Sequence, residues 1–462
     1  MKTKITLLIA MLFLGFSAIN AQGQEEDMNT LSIFSEYAKA KNYDAAYGPW
    51  MELRKRNPKF NRAIFTYGER ILDHKIEKSS GAEKVGFIKD LVKMWDERRE
   101  HFASKTPEGE FLAKACQLQY DYKDELQMTD SQLYDCFDKA FKTDAETFKN
   151  PKSLYTYFKL MVNLYDDGKK PAEELFTKYD EVSEKIEAEV KHYTNLLNKY
   201  VPAEDTDEEP VLSKKDASRV KSYTSFLRAY DQISSGMDRD LGDRANCENL
   251  IPLYTRNYEE NKNDGLWLQR AMNRLFNKEC TDDPLFVKIV EQKNNLEPNA
   301  STAYYLGILK DKEGDSAAAL TFYNQAVELE TDNIDKAKIL YRIASGFKKK
   351  GSYGQARTYY QKVLGANPSY GRAHLAIAQM YAASANNCGD TNFNKRAVYW
   401  LAAQEARKAG RVDPNLASAA SQNVANYVAK APTKSEIFAE ANAGTTIKIG
   451  CWIGRSVTVP KL

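Results

Sequence analysis

Apolar positions recur at intervals of three and four along most of this chain, the period of a helix with one buried face. The clearest run lies between Ala300 and Pro368, where one helix-turn-helix pattern occurs twice. In the first copy Leu306 and Gly307 share a helix, Gly314 marks a turn, and Ala319, Tyr323 and Ala326 line the return helix. The second copy follows 37 residues later, with Ile343 and Ala344, then Gly351, then Ala356, Tyr360 and Val363, and Pro368 closes it. Small residues suit a close crossing of two helices, an aromatic ring fills the wedge between hairpins, and Gly or Pro ends a helix. Two hairpins cannot bury their own apolar faces, so the pattern should recur. Tyr43, Ala46, Trp50 and Pro58 repeat the spacing of Tyr353, Ala356, Tyr360 and Pro368, and so do Tyr399, Ala402, Ala406 and Pro414.

Between these repeats the pattern varies. The first hairpin places Ile33, Phe34 and Tyr37 inward on one helix and Ala46, Trp50 and Leu53 inward on the next. A second, longer hairpin opens at Tyr67 and Gly68 and returns over about 82–102. Helices follow around 112–120, 131–141 and 154–165. Two long stripes come next. Tyr179, Val182, Ile186, Val190, Tyr193, Leu197 and Tyr200 form one; Val220, Tyr223, Leu227, Tyr230 and Ile233 form the other. They predict two long antiparallel helices joined by an acidic loop, Glu204 to Pro210, which reads either as a docking epitope or as a solvated linker. The hairpin would project from the repeat array or interrupt it. Helices over 249–260, 265–276 and 284–296 lead back to the repeats, and an insertion over 386–397 reads as a loop. The last residues alternate: Thr445 to Ile449 and Ser456 to Val459 predict a β-hairpin turning at Gly454 and Arg455.

The two strong copies resemble the tetratricopeptide-repeat (TPR) family, whose unit is about 34 residues. The predicted fold is therefore all-α, a TPR-like solenoid of helical hairpins with a long antiparallel helical hairpin in the middle and a short C-terminal β-hairpin. Its expected divisions are residues 1–21 as a leader, 22–103 as N-terminal repeats, 104–246 as a degenerate helical region, 247–430 as a C-terminal array and 431–462 as the tail. The whole also resembles exported TPR proteins of Bacteroidota in the segments Lys41 to Tyr47, Glu279 to Phe286, Lys395 to Ala403 and the tail motif Gly450 to Gly454, "GCWIG". That group brings no assigned chemistry with it.

Lys2 and Lys4 precede an apolar run from Ile5 to Phe16, and small residues lead to Ala21. A run of about 12 apolar residues after a basic start predicts a cleavable secretory signal, because a membrane span needs about 20. The expected location is the periplasm, the outer membrane surface or the exterior. Charge selects no partner class: the 66 Lys and Arg nearly match the 64 Asp and Glu, which gives no general attraction for nucleic acid. Six cysteines in an exported chain favour disulfides, with buried thiols as the alternative. Neighbouring pairs are preferred among the 15 possible connectivities. Cys247 and Cys280 lie at one end of a hairpin, Cys116 and Cys136 bracket a helix pair, and Cys388 is left for Cys451.

Neither zinc-ligand spacing nor a phosphate-loop, nucleophile-elbow, HExxH or dinucleotide motif occurs, so no cofactor, metal or catalytic residue is assigned. His374 falls where a repeat packs a bulky side chain. The reading that follows is a non-catalytic envelope scaffold holding a protein or peptide in the groove of the repeats. An enzyme or carbohydrate-handling protein with a site in 104–240 is the alternative. For the groove, Lys338 and Arg342 occupy inward positions two and six of their repeat, Lys348 and Lys349 follow, and Arg372 opens the next unit. Peptide-binding members of the family that the chain resembles grip a terminal carboxylate with Lys and Arg there. Tyr304 and Ile308 stand where the rest of that clamp would be, so a broader acidic segment fits better; an ordinary solvated helix face is the alternative. The leader makes a direct prediction: exported protein begins at Gln22, and N-terminal sequencing that finds Met1 on it overturns the assignment.

Overall fold

The computed structural model describes residues 23–201 and 212–462. The leader and the acidic loop at 204–210 lie outside those residues. The described residues form two compact units, one ending at 186 and the other beginning at 187.

In the first unit, α1 (residues 23–39) and α2 (Tyr43–Arg56) make one hairpin and α3 (Ala63–Lys78) and α4 (Gly81–Phe102) the next. Asn42 caps α2 by accepting from the Ala45 N–H. Trp50, fully buried, donates its indole N–H to the Ile64 carbonyl at 2.8 Å, which satisfies the polar atom of a large core ring. Gly68 makes this possible, since a Cβ there would stand 2.6 Å from that indole nitrogen. Arg54, buried beside the ring, is neutralised by Asp90 at 3.0 Å and Glu97 at 2.7 Å. The expected phase of α1 is corrected. Phe34 is buried, but Ile33 is 49% and Tyr37 41% exposed. The buried face of α1 carries Asp27, Leu31, Phe34 and Ala38, and Ile33 and Tyr37 fall on the other side of the turn. Arg56 and Asn57 hold the buried Asp27 carboxylate at 2.9 and 2.8 Å.

The remainder of this unit is α5 (Glu108–Asp121), the single turn α6 (Lys123–Leu126), α7 (Asp130–Thr143), α8 (Pro151–Asp166) and the first half of α9 (Ala172–Asn198). Thr129 and Gln132 form a capping box on α7, and Asn150 with Pro151 starts α8. Buried Lys178 bonds to Asp138, Glu181 and the Tyr157 hydroxyl.

The second unit continues through α10 (Lys214–Leu241), α11 (Cys247–Asn261), α12 (Gly265–Asn277) and α13 (Pro284–Leu296) into the array. The array is α14 (Ala300–Lys312), α15 (Ser316–Leu329), α16 (Asn333–Lys349), α17 (Tyr353–Ala366), α18 (Gly371–Ser384), α19 (Asn392–Val412) and α20 (Ala417–Lys430). Consecutive helices pack on one another, as a TPR-like solenoid requires. Gly314 and Gly351 take φ of 84° and 77° after α14 and α16, so each copy stops its first helix with a left-handed residue. Asp315 then caps α15, and Asp332 caps α16 at its other end. The insertion is loop only in its first half. From Asn392 it adds turns to α19, which Thr391 caps.

After the short α21 (Lys434–Ala439) the chain ends in β1 (Thr446–Lys448) and β2 (Ser456–Thr458), antiparallel with Ile447 opposite Val457. The expected two-residue turn is corrected: the connection runs from 449 to 455 and closes with the Ile449 N–H on the Arg455 carbonyl at 2.8 Å. A tight turn would draw Cys451 and Trp452 into the ladder, whereas Cys451 is bonded to Cys388 in the insertion loop and Trp452 packs on α17 and α18. A two-stranded sheet is marginal alone. Here Ile449, Ile453, Val457 and Val459 are all buried, with β2 against α19.

The crossing of α14 and α15 offers a test of the repeat geometry. A Cβ on Gly307 would lie 2.6 Å from the Tyr323 ring, whereas one on Gly346 of α16 would meet nothing within 4 Å. Gly307→Val is expected to cost about 1–3 kcal/mol by overpacking, and Gly346→Ala to add about 0.5–1 kcal/mol through helix propensity. Thermal and urea denaturation measure both, and equal stabilities for the two variants would remove the close-crossing argument.

Candidate interaction face

Of the five basic residues picked out by sequence, four lie on α16 and Arg372 lies on α18, and the structure gives them unlike surroundings. Lys338 pairs with Asp335 one turn earlier at 3.0 Å. Arg342 is exposed, with its guanidinium 5.8 Å from the ring centres of both Phe276 and Tyr304. Lys348 turns to α18, where Gln379 accepts its proton at 2.5 Å, and burial holds its ammonium below the usual lysine range. Lys349 is exposed on the last turn of α16. Arg372, on the first turn of α18, lies 3.8 Å from Asp231 of α10. Lys338, Arg342 and Lys349 thus share α16's outer side, Lys348 belongs to the α16–α18 joint, and Arg372 faces the long hairpin.

The ring platform under Arg342 is firmly built. Tyr304 and Tyr305 are buried, 5.4 Å apart, and Phe276 lies 4.7 Å from Tyr305. Burial raises both phenols to about 12, against the opposing pull of Arg342. Both rings stay neutral, and the guanidinium lies against uncharged faces.

Sequence reasoning missed the neighbours of this face that come from α9 and α10. Lys191 reaches Asp332 at 2.9 Å and Asp335 at 3.0 Å. Burial works to raise these carboxyls, but the Lys191 hydrogen bond on Asp332 and the Lys338 charge on Asp335 outweigh it and hold both below the usual range. Asn198 accepts the Ser369 N–H at 3.2 Å, and Arg228 donates to Asn415 at 3.2 Å. These partners are more than 140 residues apart in the chain, and only the three-and-four spacing of α9 hinted at a face.

At the other side of the array the tail inserts Trp452 between α17 and α18. Its ring centre is 5.6 Å from Tyr353 and 5.5 Å from Tyr381, its indole N–H bonds to the Ser384 hydroxyl at 2.9 Å, and Arg357 bonds to the Ile453 carbonyl. His374, nearly buried, bonds to Glu405 at 2.7 Å, with Lys408 and Arg455 around the same carboxylate at 3.4 and 3.8 Å. The cysteines are joined as Cys116–Cys136, Cys247–Cys280 and Cys388–Cys451, with Cα separations of 5.8, 5.5 and 5.3 Å.

A cleft of about 570 Å³ lies by the end of α4, lined by Asp96, Arg99, Glu100, Thr106 and Glu108 among others. Arg99 pairs with Asp96 and Glu108 at 3.3 and 2.8 Å, so its charge is matched within the cleft's own lining. Among the described residues no His, Cys, Asp and Glu side chains gather to hold a metal, and no helix is long and apolar enough to cross a membrane.

No family model matches the chain. It is 33% identical over 111 residues to the photosystem I assembly protein Ycf3 of Cuscuta gronovii, covering 22% of this chain and 66% of that protein. It is 30% identical over 118 residues to the protein of the same name from Synechococcus elongatus, covering 24% of this chain and 68% of that protein. Among solved structures it is similar to MamA, at 18% identity and a TM-score of 0.23 over 45% of this chain and 99% of that one. It is also similar to a tetratricopeptide repeat protein from Parabacteroides merdae, at 9% identity and a TM-score of 0.25 over 68% and 97%. The chain belongs to the tetratricopeptide-repeat family, through a matched segment of about a quarter of its length.

The tail is the part of this surface most dependent on a covalent link. Closing 63 residues through Cys388 and Cys451 contributes at most about 4 kcal/mol in the chain-entropy account. Cys388→Ser/Cys451→Ser is expected to open Lys448 and Arg455 to trypsin while α14–α17 stay protected. Unchanged resistance of the tail in this variant would show that Trp452 and its neighbours hold it unaided.

Proposed function

We propose that this protein is a non-catalytic scaffold of the cell envelope that binds a partner protein by laying an acidic segment of it on α16 and α18. The observation that carries this reading is Arg342, an exposed guanidinium set over Phe276 and Tyr304. A planar cation braced by rings presents its N–H fork in a fixed direction, which suits a carboxylate. Lys349 lies two turns along the same side of the helix and extends the positive field. Helical-repeat proteins of this type mediate protein interaction or assembly, and the curated relatives are named for assembly. Three disulfides support an oxidising compartment, in line with the secretory leader.

Arg342→Glu is expected to weaken capture of the partner from envelope extracts by about tenfold or more, because an attraction becomes a repulsion. Circular dichroism and melting should stay as in the parent, since the residue lies on an exposed side. Undiminished capture by Lys338→Glu/Arg342→Glu would move the binding surface to the long hairpin or the β tail.

A further inference from the structure

From Glu187 onward the long hairpin lies along the array. Ascending α9, Lys191 meets Asp332 and Asp335 in the first turn of α16, and seven residues later Asn198 meets Ser369 at the start of α18. Descending α10, Arg228 meets Asn415 beyond α19 and Asp231 faces Arg372 of α18. Seven helical residues advance about 10.5 Å, close to the roughly 8–10 Å between packed helices. A crossing helix with polar residues a heptad apart is therefore in register with successive hairpins.

The manner of attachment differs along the hairpin. Over 190–201 and 212–231 only Leu197, Thr224 and Tyr230 are buried, and Tyr230 packs on Tyr193 of the same hairpin at 6.1 Å. Tyr193 also stacks on Phe226 at 4.7 Å. The outer part thus coheres through its own rings, and ion pairs and amide hydrogen bonds link it to the array. Nearer the base, Met237 and Leu241 are buried and anchor it. Surface ion pairs exchange partners readily, because solvent and competing charges offset most of their attraction.

We propose that the outer part of the α9–α10 hairpin is a strap over α16 and α18, and that an acidic partner segment docks by displacing it. The strap already supplies what such a partner would bring, a carboxylate from Asp231 on Arg372, and Lys191 ties it to the Asp335 that neutralises Lys338. This deepens the function proposed above and rests on it.

The test uses the full mature chain, amide hydrogen exchange, and the anisotropy of a fluorescein-labelled deca-glutamate peptide. Lys191→Glu sets a like charge against Asp332 and Asp335, and Asp231→Asn releases Arg372 with no change of size. Lys191→Glu is expected to speed exchange over the strap by about tenfold and to tighten peptide binding by about fivefold, and Asp231→Asn, which gives up one exposed pair, to do each by about twofold, while α14 and α15 keep their rates. Exchange unchanged in both variants overturns the strap. If the peptide binds the parent and is lost in Arg342→Glu but is indifferent to Lys191→Glu and Asp231→Asn, gating is wrong and the binding face stands. Peptide bound by none of these proteins overturns both.

Discussion

The contact between Tyr323 and Gly307 sets the scale for the array. A tyrosine ring stands where a Cβ on Gly307 would otherwise be, so the crossing of α14 and α15 admits no side chain there. The ring keeps its hydroxyl satisfied by Asp311 at 2.7 Å while its face covers Tyr304. The second copy reaches the same end with different atoms: Ala344 replaces the glycine, and the Tyr360 hydroxyl lies 3.1 Å from that of Ser345. Each hairpin is thereby a thin slab whose apolar sides need a neighbour. The Arg342 platform is a by-product of that demand, since Phe276 from the preceding helix pair completes the cover over Tyr304 and Tyr305.

Most of this was legible in the sequence because the signals are local. Gly314 and Gly351 ended helices where expected, Pro284 began one, and the apolar stripes of α9 and α10 marked two long helices. The failures follow from the limits of local pattern. Ile33 and Tyr37 looked inward because the phase of one short helix is fixed by its neighbours, and a buried carboxylate, Asp27, took a place that apolarity alone would not assign it. Gly454 and Arg455 looked like a tight turn because the loop's commitments, Trp452 between two helices and Cys451 to a distant loop, involve residues far away in the chain. The basic strip was legible as residue types, but the neighbours that decide each cation's availability, Asp231 and Lys191 above all, come from outside the repeat.

The charged groups show how a nearly neutral chain makes a selective surface. Cations inside the packing are matched at short range, as Arg54 is by Asp90 and Glu97 and Lys178 by Asp138 and Glu181. An unmatched buried charge would cost several kcal/mol, roughly more than the pair itself contributes. Along the first helices the matching is looser: Arg342 rests on rings and Arg372 stands 3.8 Å from its carboxylate. Loose neutralisation at the surface leaves a field that a ligand can complete.

The disulfides lie where the repeat pattern fails. Cys116–Cys136 joins α5 to α7 across the extra turn α6, Cys247–Cys280 closes the ends of α11 and α12 just after the long hairpin, and Cys388–Cys451 ties the insertion to the tail. Within α14–α17, where each helix meets its neighbours through matched small and aromatic residues, there is none. A regular repeat draws its stability from adjacent interfaces, so a cross-link there would add little that packing does not already supply. At an irregular joint fewer neighbours share the cost of ordering the chain, and limiting the unfolded state has more effect. The covalent links and the repeats are thus complementary solutions to one problem, holding thin slabs in a fixed succession so that side chains from several of them converge on one face.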